Sequence, residues 1–187
     1  MAINNPQQNI LYYIIMETSL GWVGLSGNGK ALSRFVLPEK DKQSILAQLT
    51  ATIPPGSQFI PADDQFSMLV EKIKDYFNGK LVHFKNQTVD LSGYTFFQRK
   101  VLLKTREIAY GTTRTYRWLA KQTGYPRAYR AVGGVMRINP LPLIIPCHRV
   151  IGSQGKLTGF SATGGLSLKQ KMLVIEGALK EKKGILM

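Results

Sequence analysis

Hydrophobic periodicity divides the chain into a strand-rich first half and a mainly helical second half. Three β-rich runs broken by glycine turns predict short strands at residues 10–16, 21–25 and 31–37. A short helix is predicted at residues 41–50, directly after the third strand. The opening of the chain therefore indicates an antiparallel sheet followed by a helix.

The remainder of the first half adds one more helix and a candidate strand. Apolar residues recur at helical spacing over residues 66–77, behind an acidic start at Asp63 and Asp64. The stretch 81–92 is a candidate strand. Together these elements predict an N-terminal α+β domain, a sheet with helices, over residues 1–92.

The second half predicts a mainly helical C-terminal domain, residues 93–187, that contains a helix-turn-helix. One helix is predicted at 96–109, and a second follows a cap supplied by Thr113 or Thr115. A glycine and a proline interrupt the pattern before a third helix at 127–138. Helical hairpins are common, so the spacing alone favours DNA binding only weakly.

The net charge of +14 is confined to the second half of the chain. Residues 1–93 carry eight Lys or Arg and eight Asp or Glu, whereas residues 94–187 carry seventeen Lys or Arg and three Glu. A well-solvated surface is one interpretation. The segregation also favours a polyanionic partner, because each phosphate contact releases condensed counterions. Nucleic acid is therefore the leading candidate.

The helix predicted at 127–138 has an unusual distribution of side chains. Arg127, Arg130 and Arg137 fall on one side, and two adjacent glycines, Gly133 and Gly134, leave little bulk elsewhere. Each glycine costs a helix interior about 1 kcal/mol, so the pair needs a reason. Close packing against a neighbouring helix and close approach to a nucleic-acid groove are both consistent with the pattern.

The single cysteine, Cys147, lies in a distinctive setting. Prolines on both sides of an apolar, strand-like run predict a stiff segment that presents Cys147 and His148 at a fixed place. A lone cysteine is usually a small buried hydrophobe. Here the neighbouring His148 and Arg149 are expected to lower its pKa and to favour the nucleophilic thiolate.

Composition argues against several other classes of protein. One cysteine and two histidines fall short of the four ligands of a structural zinc site, so we expect no metal and no cofactor. We find no apolar run of eighteen residues and no secretory signal, which predicts a cytosolic or nuclear protein without a membrane partner. Only the tail, 180–187, is expected to be disordered.

A series of short motifs runs through the second half between Phe97 and Gly177. In chain order the motifs are Gly111, Thr115-Tyr116, Arg130-Ala131-Val132-Gly133-Gly134, Asn139-Pro140, Pro146-Cys147-His148-Arg149-Val150, Leu157-Thr158-Gly159-Phe160, Gly164-Gly165-Leu166 and Glu176-Gly177. The series resembles the O6-alkylguanine-DNA alkyltransferase family. The first half is similar only in length and α+β character, and the resemblance implies a ribonuclease H-like fold there.

The resemblance implies a single-turnover DNA repair reaction. Members of the family flip an O6-alkylguanine nucleotide out of double-stranded DNA and transfer the alkyl group irreversibly to a cysteine. By resemblance, Cys147 is the nucleophile, His148 is a base that acts through water, and Glu176 orients and charges the imidazole. Asn139 is expected to support the turn before the cysteine. Tyr116 is expected to promote rotation of the nucleotide and to donate to the departing guanine.

The resemblance also assigns a DNA-binding helix and a base pocket. Arg130 is expected to enter the base stack, and the small residues Ala131 and Gly133 suit the minor groove. Tyr129 stands where relatives usually carry a small residue. The other DNA contacts are assigned to Thr115, Arg127 and Arg137, and the pocket to Met136, Pro142, Val150, Phe160 and Ser161.

Three functions of different classes are compatible with parts of the pattern. The favoured one is an alkyltransferase that acts as a monomer, with cooperative binding along DNA left open. The alternative is a protein that binds alkylated bases without repairing them. Family members of that type lack the cysteine, so Cys147 argues against it. The third function is a cysteine hydrolase built on Cys147 and His148. It is disfavoured because hydrolysis would give the positive charge of the second half no role.

Overall fold

The computed structural model describes residues 9–62 and 64–180. Two expectations fall outside this part of the chain. They are the place of Asp63 at the start of a helix and the disorder of the tail beyond Lys180.

A four-stranded sheet forms the core of the first half. Strands β1 (Ile10–Thr18), β2 (Gly21–Gly27) and β3 (Leu32–Glu39) pair antiparallel in chain order, at the places predicted from the sequence. A fourth strand, β4 (Gln58–Pro61), was not predicted and pairs parallel to β1. The strand order is therefore β3-β2-β1-β4.

The helices of the first half contact the sheet through separate hydrophobic clusters. Helix α1 (Lys42–Thr50) begins at Asp41, whose carboxylate caps it, and forms a small cluster with one face of the sheet. Gly24 of β2 is needed there, because a Cβ would lie only 2.3 Å from Ile45. Helix α2 (Ser67–Phe77) joins the main core instead. Its first turn contains no acidic residue, and Asp64 lies three residues before the helix begins.

The stretch 81–92 is not a strand, contrary to the prediction. Its backbone makes only an isolated bridge, between Val89 and Leu32 of β3. The guanidinium of Arg106 donates to the carbonyl oxygens of Phe84, Lys85 and Gln87. A side chain thus takes the acceptors that a neighbouring strand would otherwise use.

Four helices organise the second half as far as it is described, to residue 180. They are α3 (Phe96–Arg106), α4 (Tyr116–Gln122), α5 (Tyr129–Arg137) and α6 (Gly165–Ile175). The first three confirm predicted helices, although α3 is three residues shorter than expected and α5 loses residues at both ends. Thr115 caps α4 by accepting a hydrogen bond from the backbone of Trp118, at 3.0 Å. Helix α6 had no counterpart among the predicted elements.

The segment between α5 and the cysteine is a series of turns, not the strand-like run predicted. Its prolines lack the N–H groups that a sheet requires, and Leu143 has a positive φ of 74°. A 3₁₀ turn (Cys147–Arg149) follows. It leads into the two-residue strand β6 (Val150–Ile151), which pairs parallel to β5 (Arg114–Thr115).

One cluster of buried hydrophobic residues extends across both halves of the chain. A backbone hydrogen bond of 2.9 Å also joins them, from the N–H of Phe35 in β3 to the carbonyl of Pro140 after α5. The division at residue 92 therefore stays a prediction. In the described part of the chain, no helix is long and apolar enough to cross a membrane.

Candidate active site and nucleic-acid interface

Asn139 holds together the turns that precede the cysteine. Its side-chain NH₂ donates to the carbonyl of Ile145 at 2.7 Å, and its oxygen accepts from the N–H of Leu141 at 3.1 Å. The N–H of Cys147 in turn donates to Ile145 at 2.8 Å. These contacts fix the backbone from which the thiol projects.

The thiol of Cys147 is almost buried and lies at the wall of a cavity. The residue is 7% exposed, and the cavity has a volume of about 670 Å³. Burial raises the pKa of the thiol above its usual value, and the hydrogen bond with Asn139 and the charge of Lys169 do not cancel this effect. The expectation of a lowered pKa was therefore wrong. Cys147 is a protonated thiol in the free protein at neutral pH.

Glu176 is the centre of a buried hydrogen-bond network next to the cysteine. Its carboxylate accepts five hydrogen bonds from groups on four residues. The donors are Tyr76 Oη at 2.9 Å, His148 Nε2 at 2.7 Å, Arg149 Nε at 2.8 Å, Arg149 Nη2 at 2.9 Å and Gly111 N at 3.2 Å. Burial alone would raise the pKa of Glu176, but the hydrogen bonds from His148 and Arg149 and the positive charge of Arg149 lower it to about 2. The group is therefore a carboxylate at any working pH.

The imidazole of His148 is neutral in this network. Burial lowers its pKa and outweighs the opposing effect of Glu176, whose charge is shared with Arg149. Glu176 orients the ring as expected, but the expectation that it charges the ring in the free protein was wrong. Because the carboxylate can only accept, Nε2 carries the ring proton. The other ring nitrogen, Nδ1, is buried and has no hydrogen-bond partner among the described residues, so it can accept a proton.

The cavity beside Cys147 brings together residues from α4, α5 and the loop before α6. Gly134 of α5 lines it, as do nine of the catalytic, DNA-binding and pocket residues assigned from the sequence. The nine are Tyr116, Tyr129, Arg130, Gly133, Met136, Arg137, Cys147, Phe160 and Ser161. Its size is within the range of small-molecule pockets, roughly 300–1,000 Å³. The cavity therefore has room for a single base at the thiol.

The other predicted contact residues lie outside this cavity. Arg127, two residues before α5, and Ala131, within the helix, are both exposed. Pro142 lines a second cavity of about 440 Å³ that also reaches Cys147. Val150 was expected in the pocket but is fully buried, with its carbonyl bound to Lys169.

The two glycines of α5 are not required by packing within the protein. Among the described residues, a Cβ at Gly133 would approach only the ring of Tyr116, at 4.0 Å, and one at Gly134 would meet nothing within 4 Å. Close packing against a neighbouring helix, one of the two explanations considered above, is therefore excluded for the free protein. The open surface beside Arg130 favours approach by a partner.

Comparison with known proteins identifies the family. Residues 96–178 match the family profile of the 6-O-methylguanine DNA methyltransferase DNA-binding domain. A methylated-DNA–protein-cysteine methyltransferase of Methanosarcina barkeri is 39% identical over 166 residues, which cover 89% of this chain and 97% of the relative. One from Mycolicibacterium paratuberculosis is 46% identical, covering 89% and 93% of the two chains. The chain belongs to this methyltransferase family.

Solved structures extend this relationship to the whole fold. The crystal structure of Mycobacterium tuberculosis OGT in complex with DNA matches with a TM-score of 0.73 and 35% identity, over 89% of this chain and 93% of that one. The Mycobacterium tuberculosis O6-methylguanine methyltransferase matches with a TM-score of 0.72 and 34% identity, over 94% and 97%. The mixed α+β fold of these methyltransferases therefore extends over the first half of the chain, where no sequence motif of the family was found.

Two residues of this methyltransferase site were missed by sequence reasoning. Lys169 of α6 is fully buried, and its ammonium donates to the carbonyls of Val150 at 2.6 Å and Thr158 at 2.8 Å. Burial lowers its pKa to about 8. Tyr76 enters the Glu176 network from α2. No signal in the sequence distinguishes Lys169 from an ordinary surface lysine of a helix. None distinguishes Tyr76 from an ordinary core tyrosine.

The described residues hold no candidate metal centre. Nowhere in residues 9–62 and 64–180 do three or more His, Cys, Asp or Glu side chains meet in a group that could bind a metal ion.

Proposed function

We propose that the protein repairs DNA by moving an alkyl group from O6 of a guanine in duplex DNA to the sulfur of Cys147. The observation that carries this proposal is the placement of the thiol. It lies at the wall of a base-sized cavity whose rim is formed by the arginines of α5. The relatives' names describe the same reaction, and one structural relative was solved with DNA.

The DNA contact is assigned to α4 and α5, acting as a helix-turn-helix. Helix α5 enters the minor groove, where Ala131, Gly133 and Gly134 allow close approach to the backbone. Arg130 lies at the rim of the cavity and fills the gap that the flipped nucleotide leaves. Thr115, Arg127 and Arg137 contact the phosphates or the groove edges. Tyr129 adds a large ring to this surface, with the guanidinium groups of Arg117 and Arg130 each 5.8 Å from its centre.

The chemical step is a displacement at the alkyl carbon. A new S–C bond forms as the C–O6 bond breaks, and the electron pair of that bond leaves with guanine. The thiol proton passes, through water, to Nδ1 of His148, and Glu176 stabilises the imidazolium that results. Because the pKa of Cys147 is raised and that of His148 is lowered, this transfer occurs with the substrate bound and not before.

The departing guanine needs hydrogen-bond donors. Tyr116 and Ser161 both line the cavity, and we assign this role to the hydroxyl of Tyr116 and to a backbone N–H near Ser161. In the free protein the Tyr116 hydroxyl donates to the carbonyl of Thr158 at 3.2 Å, so it must turn towards the base when DNA binds. Phe160 lines the same cavity and can stack on the guanine ring.

Each molecule acts once. The product is a thioether, alkyl sulfur is a poor leaving group, and the sequence contains no second cysteine to release it. We further propose a monomer with two domains divided near residue 92. The first is ribonuclease H-like, in keeping with the strand order β3-β2-β1-β4. The protein would act where the DNA is, in the cytoplasm or a nucleus.

A Cys147→Ser variant distinguishes repair from damage binding. We expect it to bind a duplex containing O6-methylguanine as tightly as the wild type does, and to transfer no methyl group. Binding is measured by fluorescence anisotropy, and transfer by loss of methylated guanine from the duplex. If methyl transfer continued in this variant, the proposed nucleophile would be wrong.

A further inference from the structure

Tyr76 links the first half of the chain to the chemistry of the second. It lies in α2, is fully buried, and places its hydroxyl 2.9 Å from Oε1 of Glu176 and 3.4 Å from Nε2 of His148. These contacts span 100 and 72 residues of sequence respectively. No part of the mechanism above uses this group.

The position of the Tyr76 hydroxyl is fixed by its ring. The ring makes edge contacts with three other aromatic rings, at centroid distances of 5.2 Å to Phe77, 6.2 Å to Phe84 and 6.2 Å to Tyr110. Such contacts favour one ring orientation. The hydroxyl cannot turn away from Glu176 without moving the ring.

The direction of the hydrogen bond is also fixed. Burial, followed by the charge of Glu176, raises the pKa of Tyr76 well above 10, so the phenol keeps its proton. Nε2 of His148 already carries a proton that it donates to the same carboxylate oxygen. The phenol proton therefore has one acceptor within reach, Oε1 of Glu176.

We propose that Tyr76 is a positioning residue for alkyl transfer, which acts through Glu176 on His148. Its hydroxyl holds the carboxylate in the one orientation that leaves Nδ1 of His148 as the free acceptor. It also takes a share of the charge on Oε1, so the imidazole stays neutral until the thiol proton arrives. This role rests on the function proposed above and gives the first half of the chain a part in the reaction.

The expected effect of removing the hydroxyl has a definite sign. The charged and titratable groups that act on His148 are Tyr76 from α2, Glu176 at the end of α6, Arg149 beside it, and Lys169 in α6. In Tyr76→Phe, Oε1 of Glu176 loses one neutral donor, so more of its negative charge acts on the imidazole. That charge favours the imidazolium, and the pKa of His148 should rise.

Tyr110→Phe is a matched control. It also removes a phenol hydroxyl from a ring that contacts Tyr76, but this hydroxyl donates to the backbone carbonyl of Ile175, at 3.1 Å, and not to Glu176. A loss of aromatic packing or general stability would affect both variants. An effect transmitted through Glu176 would appear only in Tyr76→Phe.

The experiment is a pH titration of the DNA-free protein by ¹⁵N NMR, with single-turnover kinetics on the same samples. The chain has only two histidines, and the exposed His83 serves as the internal reference. For Tyr76→Phe we expect a raised pKa of His148 and a methyl-transfer rate about tenfold lower, the effect of one hydrogen bond to a charged group. Affinity for DNA should not change, and Tyr110→Phe should match the wild type in both.

Two results would overturn the proposal. One is a His148 titration in Tyr76→Phe that coincides with the wild type. The other is a rate loss shared equally by Tyr110→Phe, which would mean that Tyr76 only supports packing. The titration needs no methyl transfer, so a wild-type protein that repaired nothing would count against the proposed function and leave the test of Tyr76 intact.

Discussion

Replacing Glu176 with glutamine is the most quantitative test of the buried network. The change keeps the size of the side chain but removes its charge. It also puts an NH₂ group in place of one carboxylate oxygen, where it faces two or three of the five donors. In the wild type, burial acts to raise the pKa of Glu176, while the hydrogen bonds from His148 and Arg149 and the positive charge of Arg149 bring it from the usual 4.5 to about 2. This difference corresponds to about 3 kcal/mol of folding stability at neutral pH. Breaking a buried ion pair typically costs a similar amount, about 3–5 kcal/mol.

The loss of folding stability in Glu176→Gln should depend on pH in a way that identifies its cause. Because the folded-state pKa of Glu176 lies below the unfolded-state value, the stabilisation is complete above about pH 4.5 and is lost as the pH falls through about 2. Glu176→Gln should therefore be less stable than the wild type by about 3 kcal/mol at pH 7 but by only about 1 kcal/mol at pH 3. Urea unfolding at the two pH values measures both differences.

A surface carboxylate provides the control for this test. Glu107 pairs with Lys104 at 2.6 Å, and its side chain is 63% exposed. Exposed pairs contribute little, so Glu107→Gln should unfold like the wild type at both pH values. The reasoning is refuted if Glu176→Gln is as stable as the wild type at pH 7, or if its deficit stays constant down to pH 3.

Three further predictions concern the helix, the thiol and the buried lysine. Gly134→Ala should stabilise the free protein by up to about 1 kcal/mol in urea unfolding, since the new Cβ meets no atom within 4 Å, yet weaken binding to duplex DNA. Unchanged affinity would count against α5 as the groove helix. Cys147 should react slowly with iodoacetamide at neutral pH and faster as the pH is raised into the alkaline range, because burial raises its pKa. Rapid labelling at neutral pH would reveal a thiolate already present. Lys169→Met should slow methyl transfer without changing affinity for undamaged DNA, because it frees the carbonyls of Val150 and Thr158 at the cavity. Equal rates in a single-turnover assay would contradict this.

The parts of the fold that were predictable are those set by local sequence. The strands β1 to β3 alternate between glycine turns, and α1 begins at a capping aspartate, so periodicity and capping were sufficient. The short strand β4 depends on pairing with β1, which lies more than forty residues away in the sequence. The stretch 81–92 has strand-like composition, but Arg106 takes its carbonyl groups. Local pattern could not show either interaction.

The candidate site also has features that the sequence predicted and features that only the folded structure reveals. Motif resemblance identified Cys147, His148 and Glu176, and the structure places all three close together. Resemblance could not give their protonation states, because these depend on burial and on how Arg149 shares the charge of Glu176. The contact with Tyr76 was also hidden, because it arises only when the two halves of the chain pack together.

The most direct test of alkyl transfer to Cys147 is the fate of one methyl group. The wild-type protein is incubated with a duplex containing a single O6-methylguanine, and intact mass spectrometry and peptide mapping follow. We predict a gain of one CH₂ unit per chain, located on Cys147, with unmodified guanine left in the duplex and no reaction beyond one equivalent. A methyl group on any other residue, or an unaltered protein mass with the lesion still in place, would contradict the proposed function.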